Sequence, residues 1–366
     1  MEPAEIALFL GETLTGGYKP AAFLSAGAFC GAFEAVDPAS GAAVAIKLRK
    51  VSRPSPDADR EFRDEVAMLR RLNGCDCVVD VLDSGQHTIN LQHPATGGQF
   101  PVTAEFAVLE LAAGSLTQLL LAAPDLGWPE RLKLFRDVVK GIHQMHLREI
   151  VHRDLKAENV LLFEQPSRAK VADLGRAHDT SEPPRFAVEA YLMGRGDPRF
   201  APLEFLWGQG TQGRDSQALA DLYLLGSLFF EVATGVGITA LITNDPLAIM
   251  GANVHLTEAE RAEAWRHAIP WLRDGSQNAH ETFALQVPAP IRLRATELLS
   301  LLTEPAPNAR VPSPRGGKRQ HGPWNLEWML AWVDSMRRVI DPTQRRAYLA
   351  GRPRTTKSSR PRTRKL

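Results

Sequence analysis

The residues best suited to chemistry lie in the stretch 150–159, which reads Ile-Val-His-Arg-Asp-Leu-Lys-Ala-Glu-Asn, and in the triplet Asp-Leu-Gly at 173–175. Their reactive side chains are Asp154, Lys156, Asn159 and Asp173. A carboxylate can accept the proton of a hydroxyl, and a lysine can neutralise developing negative charge. Carboxylate and amide oxygens are the ligands that Mg²⁺ prefers in proteins. These are the groups that phosphoryl transfer to a hydroxyl requires.

Each of the four residues has an expected role. Asp154 is placed to orient the acceptor hydroxyl and take its proton. Lys156, two residues further on, can carry positive charge to the transferring group. Asn159 and Asp173 supply hard oxygen atoms, so we expect them to bind the metal.

The same stretch matches the catalytic-loop pattern H-R-D-L-x-x-x-N at every specified position, and a D-x-G triplet follows at the usual distance. A polar surface loop is the alternative for any single His-Arg-Asp triplet, but apolar runs at 160–163 and 170–172 follow this one. The chain therefore resembles the eukaryotic-type protein kinases, on the Ser/Thr side, from about Leu24 to about Arg310. Leu174 stands where the family often has Phe and fills the same apolar role.

The resemblance implies an α+β, bilobal protein-kinase-like fold, with a small β-rich N-lobe and a larger α-helical C-lobe. It implies ATP as phosphate donor, Mg²⁺ or Mn²⁺ as metal, and protein substrates, with autophosphorylation as one outcome. The expected division is an N-terminal extension at 1–22, the N-lobe at 23–111, the C-lobe at 112–340 with an activation segment at 173–204, and a basic tail at 341–366.

A second lysine, Lys47, ends the strand Val-Ala-Ile-Lys at 44–47. This matches the V-A-I-K strand whose lysine meets the α- and β-phosphates. The segment 60–72 has apolar residues at helical spacing, and Glu65 within it matches the glutamate that pairs with the strand lysine. The alternative for Glu65 is one charge on a solvated helix face. Lys47 and Glu65 complete the expected catalytic set.

The weakest part of the resemblance is the glycine-rich loop. The family has glycine at the positions of Ser25, Gly27 and Cys30, so two of the three are replaced. Glycine allows close approach of the backbone to a phosphate, and Ser or Cys narrows that freedom. A pseudokinase, an ATP-binding scaffold that transfers no phosphate, is therefore the alternative function.

The resemblance also implies a nucleotide site between the loop and the hinge at 106–116. Backbone groups of Glu110 and Ala112 are expected to contact adenine, with Leu109 as gatekeeper. The expected nucleotide-binding residues are Ser25, Gly27, Phe29, Ala32, Ala45, Lys47, Glu110, Ala112 and Leu161.

Further along the chain, residues 196–204 align without gaps on the family's G-T-x-x-Y-x-A-P-E pattern. Arg310 fits the arginine that pairs with Glu204. Asp197 replaces a threonine that normally helps hold the catalytic residues, so we expect a second carboxylate to compete for Lys156. Asp221 resembles the aspartate that holds the catalytic-loop backbone.

Three hydroxyls of the activation segment are candidate phosphorylation sites: Thr180, Ser181 and Tyr191. Arg153, directly before Asp154, is suited to binding an activation-segment phosphate. The segment 238–288 is longer than a minimal kinase needs. Within it, the capping box at 257–260 predicts a helix through about Leu272. The segment provides either additional packing or a docking surface for a substrate or partner.

Hydropathy, the first residues and the cysteine content indicate the cellular compartment. No apolar run reaches the ~20 residues that a membrane helix needs, and the first residues lack the basic start of a signal peptide. Three cysteines are too few for a disulfide framework, so we expect a cytoplasmic protein without a transmembrane segment.

The net charge of +1 conceals an asymmetry between the body and the tail. Nine Lys and Arg residues lie between Arg345 and Leu366, which leaves −8 for the rest of the chain. The composition of the tail favours disorder. Its possible partners are nucleic acid, an acidic membrane surface or the acidic body of its own chain. A solubilising role and autophosphorylation are the alternatives.

Beside the protein kinase and the pseudokinase, a third interpretation of the whole protein is a small-molecule kinase of related fold.

Overall fold

The computed structural model describes residues 1–52, 55–92, 98–164, 167–183, 196–210, 213–313 and 321–341. The N-terminal part is a five-stranded antiparallel sheet in the order β1-β2-β3-β5-β4. Its strands are β1 (Lys19–Ala26), β2 (Cys30–Val36), β3 (Ala43–Arg49), β4 (Val81–Gln92) and β5 (Gln99–Glu110). Sequential strands with short turns explain why β1, β2 and β3 are neighbours.

Two helices cover the two faces of this sheet, α1 (Pro3–Leu10) and α2 (Pro56–Leu72). Phe9 of α1 shares a buried cluster with Phe33, Ile46 and Leu48, whereas α2 packs in a second cluster that contains Ala107. Neighbouring residues of a strand point to opposite faces, so the sheet separates the two clusters.

The segment expected to be an N-terminal extension contributes to this N-lobe core. Phe9 and Leu14 are buried in the first cluster, and β1 begins at Lys19 rather than near Phe23. Helix α1 has only eight residues, too few for a helical period to be recognised in the sequence.

The C-terminal part is mostly helical. Its helices are α3 (Leu116–Ala122), α4 (Trp128–His146), α5 (Arg214–Thr234), α6 (Ile238–Thr243), α7 (Pro246–Asn253), α8 (Glu258–Gln286), α9 (Ala289–Leu302) and α10 (Glu327–Ile340). Short strands lie between β5 and α5: β6 (Gly114–Ser115), β7 (Ile150–Val151), β8 (Val160–Glu164), β9 (Ser167–Val171) and β10 (His178–Asp179). Strand β7 pairs with β10, and β8 pairs with both β6 and β9. The predicted α+β bilobal fold is confirmed.

Helix α5 is the centre of this lobe, because almost every residue from Gln217 to Val232 is buried. The predicted helix at 258–272 is longer than expected. It begins with the predicted capping box of Thr257 and Glu260 but runs to Gln286 and contains Pro270. Its buried positions continue through Phe283, so tertiary packing extends the helix.

Much of the segment 238–288 is therefore packed against the rest of the lobe, as one of its two interpretations predicted. Trp265 of α8 lies against Trp207, and Phe283 contacts Phe229. No helix in the described ranges is long and apolar enough to cross a membrane.

Candidate active site

Lys47 joins three separate elements at the boundary between the lobes. Its Nζ atom donates to both carboxylate oxygens of Glu65 on α2, at 2.7 and 2.8 Å, and to Oδ1 of Asp173 at 2.9 Å. Burial opposes the charge on Lys47, but the attraction of Asp173 and Glu65 outweighs it and raises its pKa well above the ordinary value. Lys47 is therefore a permanent cation at this position.

Glu65 also holds the backbone after Asp173. Its Oε1 atom accepts a hydrogen bond from the amide of Leu174 at 3.1 Å, and the Leu174 side chain is fully buried in the same core cluster as Leu69. Asp173 itself has a left-handed backbone (φ 57°), which is uncommon for a residue other than glycine. Helix α2 thereby fixes both the lysine and the Asp-Leu-Gly turn.

Asp173 faces solvent at the mouth of the cleft, with its side chain 52% exposed. The neighbouring charge of Lys47 is the largest influence on this carboxyl and lowers its pKa to about 2. It is an ionised carboxylate at neutral pH, open to a ligand.

Helix α5 holds the backbone of the catalytic loop through Asp221. Asp221 accepts hydrogen bonds from the amides of His152 (2.8 Å) and Arg153 (2.9 Å), and its Oδ2 atom lies 2.9 Å from Nε2 of His146. Burial disfavours the charge on Asp221, but hydrogen bonding and the nearby histidines outweigh it and lower its pKa. Arg153 is left-handed (φ 69°), so these bonds hold the loop in a conformation that it would not adopt freely.

Asp154 and Asn159 lie side by side in this loop. Nδ2 of Asn159 donates to the carbonyl of Asp154 at 2.7 Å and lies 3.4 Å from its Oδ2 atom. The amide oxygen of Asn159 is then the side-chain atom suited to coordinate a metal. Burial raises the pKa of the Asp154 carboxyl, which makes it a better proton acceptor than an exposed aspartate.

Lys156 forms a direct ion pair with a carboxylate other than Asp197. Its Nζ atom pairs with Oε2 of Glu158 at 3.0 Å. Asp197 instead binds Arg199 through both carboxylate oxygens, at 3.0 and 2.6 Å. Burial opposes the charge on Lys156, but Asp154, Glu158 and Asp197 together raise its pKa. Asp197 therefore acts on Lys156 only through its charge, because Arg199, two residues away, binds both of its carboxylate oxygens.

The glycine-rich loop closes as a tight turn, in which the amide of Gly27 donates to the carbonyl of Cys30 at 3.0 Å. Ser25, Gly27 and Phe29 are exposed. Cys30 is close enough to Lys47 for the two to interact electrostatically, but burial is the larger influence and raises its thiol pKa to about 11. It is a neutral thiol and does not compete with the carboxylates for Lys47.

The remaining expected nucleotide-binding residues lie on neighbouring strands. Ala32 is paired with Lys47, Ala45 with Leu109, and Glu110 with Val44. Leu161 lies on β8 opposite Ser115, and Ala112 lies between β5 and β6. Strand pairing thus links these residues through β3, β5 and β8, and their contact with a nucleotide stays a prediction.

A charged cluster behind the hinge had no signal in the sequence. The side chain of Glu110 accepts from Lys170 Nζ at 2.5 Å and from the amide of Asp80 at 2.7 Å. Lys170 comes from β9, so it links the hinge to the strand before Asp173. The side chain of Glu110 is occupied here, so the predicted contact of Glu110 with adenine depends on its backbone.

The activation segment is anchored at both described ends. Arg310 donates to the two oxygens of Glu204 at 2.7 and 2.6 Å, and both side chains are at most 1% exposed. At the other end, Arg71 of α2 forms an ion pair with Asp179. The predicted pairing of Glu204 with Arg310 is observed. The pair of Arg71 and Asp179 had no sequence signal, because the two residues are far apart in the chain.

Two of the candidate phosphorylation sites already have hydrogen-bond partners. Thr180 Oγ1 donates to the carbonyl of Glu149 at 2.9 Å, and Ser181 Oγ donates to Oδ1 of Asp179 at 2.7 Å. Tyr191 lies outside the described residues. A phosphate at either hydroxyl would need to break these bonds, so phosphorylation at these positions stays a prediction.

The donor set suits a nucleotide-bound metal. No group of three or more His, Cys, Asp or Glu side chains suited to a metal ion occurs within the described part of the chain. A Mg²⁺ ion bound with a nucleotide needs only one or two protein oxygens, because phosphates and waters complete its shell. The ionised carboxylate of Asp173 and the amide oxygen of Asn159 fit that requirement.

Comparison with known families gives one match over most of the chain. A sequence profile described as the protein kinase domain matches residues 18–314. This range contains every residue of the cleft described above, from Ser25 to Asp173.

Curated relatives agree with that match at modest identity. The chain is 32% identical over 233 residues to the DNA damage-responsive serine/threonine-protein kinase RqkA of Deinococcus radiodurans, covering 62% of this chain and 31% of that protein. It is 25% identical over 228 residues to the serine/threonine-protein kinase PknA of Mycobacterium tuberculosis, covering 62% of this chain and 48% of that one.

A plant relative matches a shorter segment. The chain is 32% identical over 168 residues to the putative L-type lectin-domain containing receptor kinase V.2 of Arabidopsis thaliana, which covers 44% of this chain and 23% of that protein. The chain thus spans less than half the length of each of these relatives.

Proposed function

This chain belongs to the protein kinase family, and on that basis we propose that it transfers the γ-phosphate of ATP to serine and threonine hydroxyls of proteins in a Mg²⁺-dependent reaction. The observation that carries the proposal is the three-way contact of Lys47 with Glu65 and Asp173. It aligns a permanent cation and an ionised carboxylate at one cleft, where a triphosphate and its metal require them.

In the proposed reaction Asp154 orients the acceptor hydroxyl and takes its proton. The acceptor oxygen forms a bond to the γ-phosphorus while the bond from that phosphorus to the β–γ bridging oxygen breaks, and ADP leaves. Lys47 binds the α- and β-phosphates, and Lys156 neutralises charge on the transferring group. Because Glu158 already pairs with Lys156, this lysine must exchange partners when the phosphate enters.

Asn159 and Asp173 would hold the metal, with Mg²⁺ preferred and Mn²⁺ as alternative. A divalent ion there supplies charge neutralisation to the phosphate oxygens. Lys47 keeps Asp173 ionised, because it lowers the carboxyl pKa to about 2. Asp154 keeps Asn159 in one orientation through the hydrogen bond to its carbonyl.

Serine and threonine specificity rests on Lys156, two residues after Asp154, as in the Ser/Thr branch of the family. Two bacterial relatives are named as serine/threonine-protein kinases, which supports the same class of acceptor. A protein acceptor is favoured over a small molecule by the paired Glu204 and Arg310 that hold the activation segment. The cytoplasmic location, autophosphorylation and the partners of the basic tail stay predictions.

The test is phosphoryl transfer from γ-labelled ATP to casein and to the chain itself, followed by identification of the labelled amino acids. We expect labelled serine or threonine with Mg²⁺. Asp154→Asn should lower the rate by about 10²–10³-fold, in line with the loss of one preorganised group. The control, Asp274→Asn, removes an exposed carboxylate of α8 and should leave the rate unchanged.

Other results would identify the alternatives. Binding of ATP without any transfer would favour the pseudokinase. Labelling of tyrosine alone would contradict the proposed acceptor. Transfer that persists in Asp154→Asn would show that another group takes the proton.

A further inference from the structure

We propose that Lys50 is a positioning residue for the phosphates of ATP: it holds the glycine-rich loop from outside, so that loop amides face the cleft. The inference rests on the proposed function, since it concerns the nucleotide of that reaction. Its basis is a set of contacts between the loop and the chain directly after β3.

Lys50 binds two consecutive carbonyls at the tip of the loop. Its Nζ atom donates to the carbonyl of Gly27 at 2.5 Å and to that of Ala28 at 3.2 Å. Its own amide donates to the carbonyl of Phe29 at 2.8 Å, which also accepts from Nη1 of Arg49 at 3.0 Å. Two successive residues therefore hold three successive loop carbonyls.

Fixing a carbonyl fixes the amide that follows it. In a planar trans peptide the N–H of the next residue points opposite to the C=O. With the carbonyls of Gly27 and Ala28 turned toward Lys50, the amides of Ala28 and Phe29 must point away from it. The direction of these two N–H groups is thus set by one ammonium group.

The alternation of side chains along β3 indicates which face of the sheet these N–H groups point to. Ile46 and Leu48 point to the face covered by α1, whereas Lys47 points to the cleft and Glu65. Lys50 comes directly after β3, and its ammonium group interacts with the amino group of Met1 just before α1, so its side chain lies on the α1 face. The amides of Ala28 and Phe29 consequently point to the side of Lys47, where the triphosphate is expected. A Cβ placed on Gly27 would meet nothing within 4 Å, so the space beside this residue is open.

Helix α1 supports the turn that carries Lys50. Glu5, which is buried, accepts hydrogen bonds from the amides of Val51 (2.6 Å) and Ser52 (3.2 Å) and from the hydroxyl of Ser52 at 2.8 Å. Met1 packs over Gly31 of β2 on the same face. A chain of contacts therefore runs from α1 through residues 50–52 to the loop.

The contacts of Lys50 compensate for the two glycines that are replaced in the loop. Ser25 and Cys30 stand where the family has the most flexible residue. A loop with less freedom of its own gains from external hydrogen bonds that set its peptide planes. Lys50 is only 7% exposed, so its ammonium group is largely removed from water and depends on its hydrogen bonds to the loop carbonyls.

The experiment compares two ligands of the full chain, ATP with Mg²⁺ and adenosine, by titration calorimetry. Adenosine shares the hinge contacts but has no phosphates. Lys50→Met should weaken ATP binding about tenfold or more, since it removes charge-assisted hydrogen bonds to two carbonyls. Adenosine should bind within about twofold of wild type, because its contacts at the hinge are untouched. Lys50→Arg should restore most of the ATP affinity.

A matched control and a second variant keep the result decisive. Lys19→Met removes an exposed lysine of β1 and should leave the affinities for ATP and adenosine unchanged. Glu5→Gln should weaken ATP binding in the same direction but less, even where Lys50→Met folds poorly. Equal loss of ATP and adenosine, or wild-type ATP affinity in Lys50→Met, would overturn the inference. A wild-type chain that binds no ATP would overturn the proposed function instead.

Discussion

Two groups of paired charges in this protein have similar distances and different purposes. Arg310 and Glu204 pair at 2.6 Å in the C-lobe interior, and both are at most 1% exposed. Lys47 pairs with Glu65 at 2.7 Å and with Asp173 at 2.9 Å in the cleft, where Asp173 is half exposed. The interior pair is enclosed by protein, whereas the cleft cluster ends in a charge that faces solvent.

The difference separates scaffold from chemistry. Arg310 also donates to the carbonyls of Glu304 and Leu219 and lies over the ring of Tyr223 at 4.9 Å. These contacts serve only to fix the activation segment to α5. In the cleft, burial is incomplete and the charges retain capacity for a ligand, which is typical of functional sites.

The largest effect on stability should come from breaking the interior pair. Arg310→Leu leaves Glu204 buried without its cation, so we expect the free energy of unfolding to fall by about 3–5 kcal/mol. Denaturant unfolding at pH 7 measures this.

The control is a second ion pair of the same lobe that is more exposed. Arg273 pairs with Glu304 at 2.6 Å, and its side chain is 52% exposed. Arg273→Leu should cost less than about 1 kcal/mol. Equal losses in the two variants would remove the distinction between enclosed and open pairs.

A smaller effect should appear at Glu231, a buried carboxylate of α5 below the catalytic loop. It accepts a hydrogen bond from the amide of Ala157 at 2.9 Å, and burial raises its pKa to about 7. A carboxyl whose pKa is higher in the folded state favours folding at low pH, and this contribution is lost as the pH rises through 7. Glu231→Gln should therefore stabilise the protein by about 2 kcal/mol more at pH 8.5 than at pH 5.5.

Thermal unfolding at the two pH values checks this sign. If the stability of Glu231→Gln relative to wild type falls as the pH rises, the ionised carboxylate of Glu231 is favoured in the folded state.

The smallest expected effect on stability concerns Asp154 in the cleft. Burial raises the pKa of Asp154, so its ionised form opposes folding at neutral pH. Asp154→Asn should unfold at the wild-type temperature or slightly above it, with a gain below about 1 kcal/mol, although transfer is lost. A clear drop in the unfolding temperature would mean that Asp154 is scaffold like Glu204.

The sequence was sufficient for the parts of the site that are local. Asp154, Lys156 and Asn159 lie within one short loop, and the strand motif locates Lys47, so the motifs alone placed them. Their convergence could be expected only because the motifs matched a known pattern. The apolar spacing at 60–72 predicted helix α2, whereas α1, α6, α7, α9 and the second half of α8 were not predicted from the sequence.

The contacts that the sequence did not predict join residues far apart in the chain. Glu5 with residues 51–52, Lys50 with the loop tip and Arg71 with Asp179 have no fixed spacing that could be recognised. The pairing of Asp197 with Arg199 was within reach, since the two are separated by one residue, but the competing attraction of Lys156 could not be ranked without geometry.

The most direct test of convergence is a double-mutant cycle on Lys47 and Asp173, measured as the free energy of Mg²⁺·ATP binding. Lys47→Met and Asp173→Asn should each weaken binding, and the double variant should lose less than the sum, by about 0.5–3 kcal/mol, because the two side chains act on one ligand and on each other. The pair Lys47→Met with Asp274→Asn should be additive within about 0.5 kcal/mol. Strict additivity of Lys47→Met and Asp173→Asn would contradict the account of a single nucleotide-and-metal cleft.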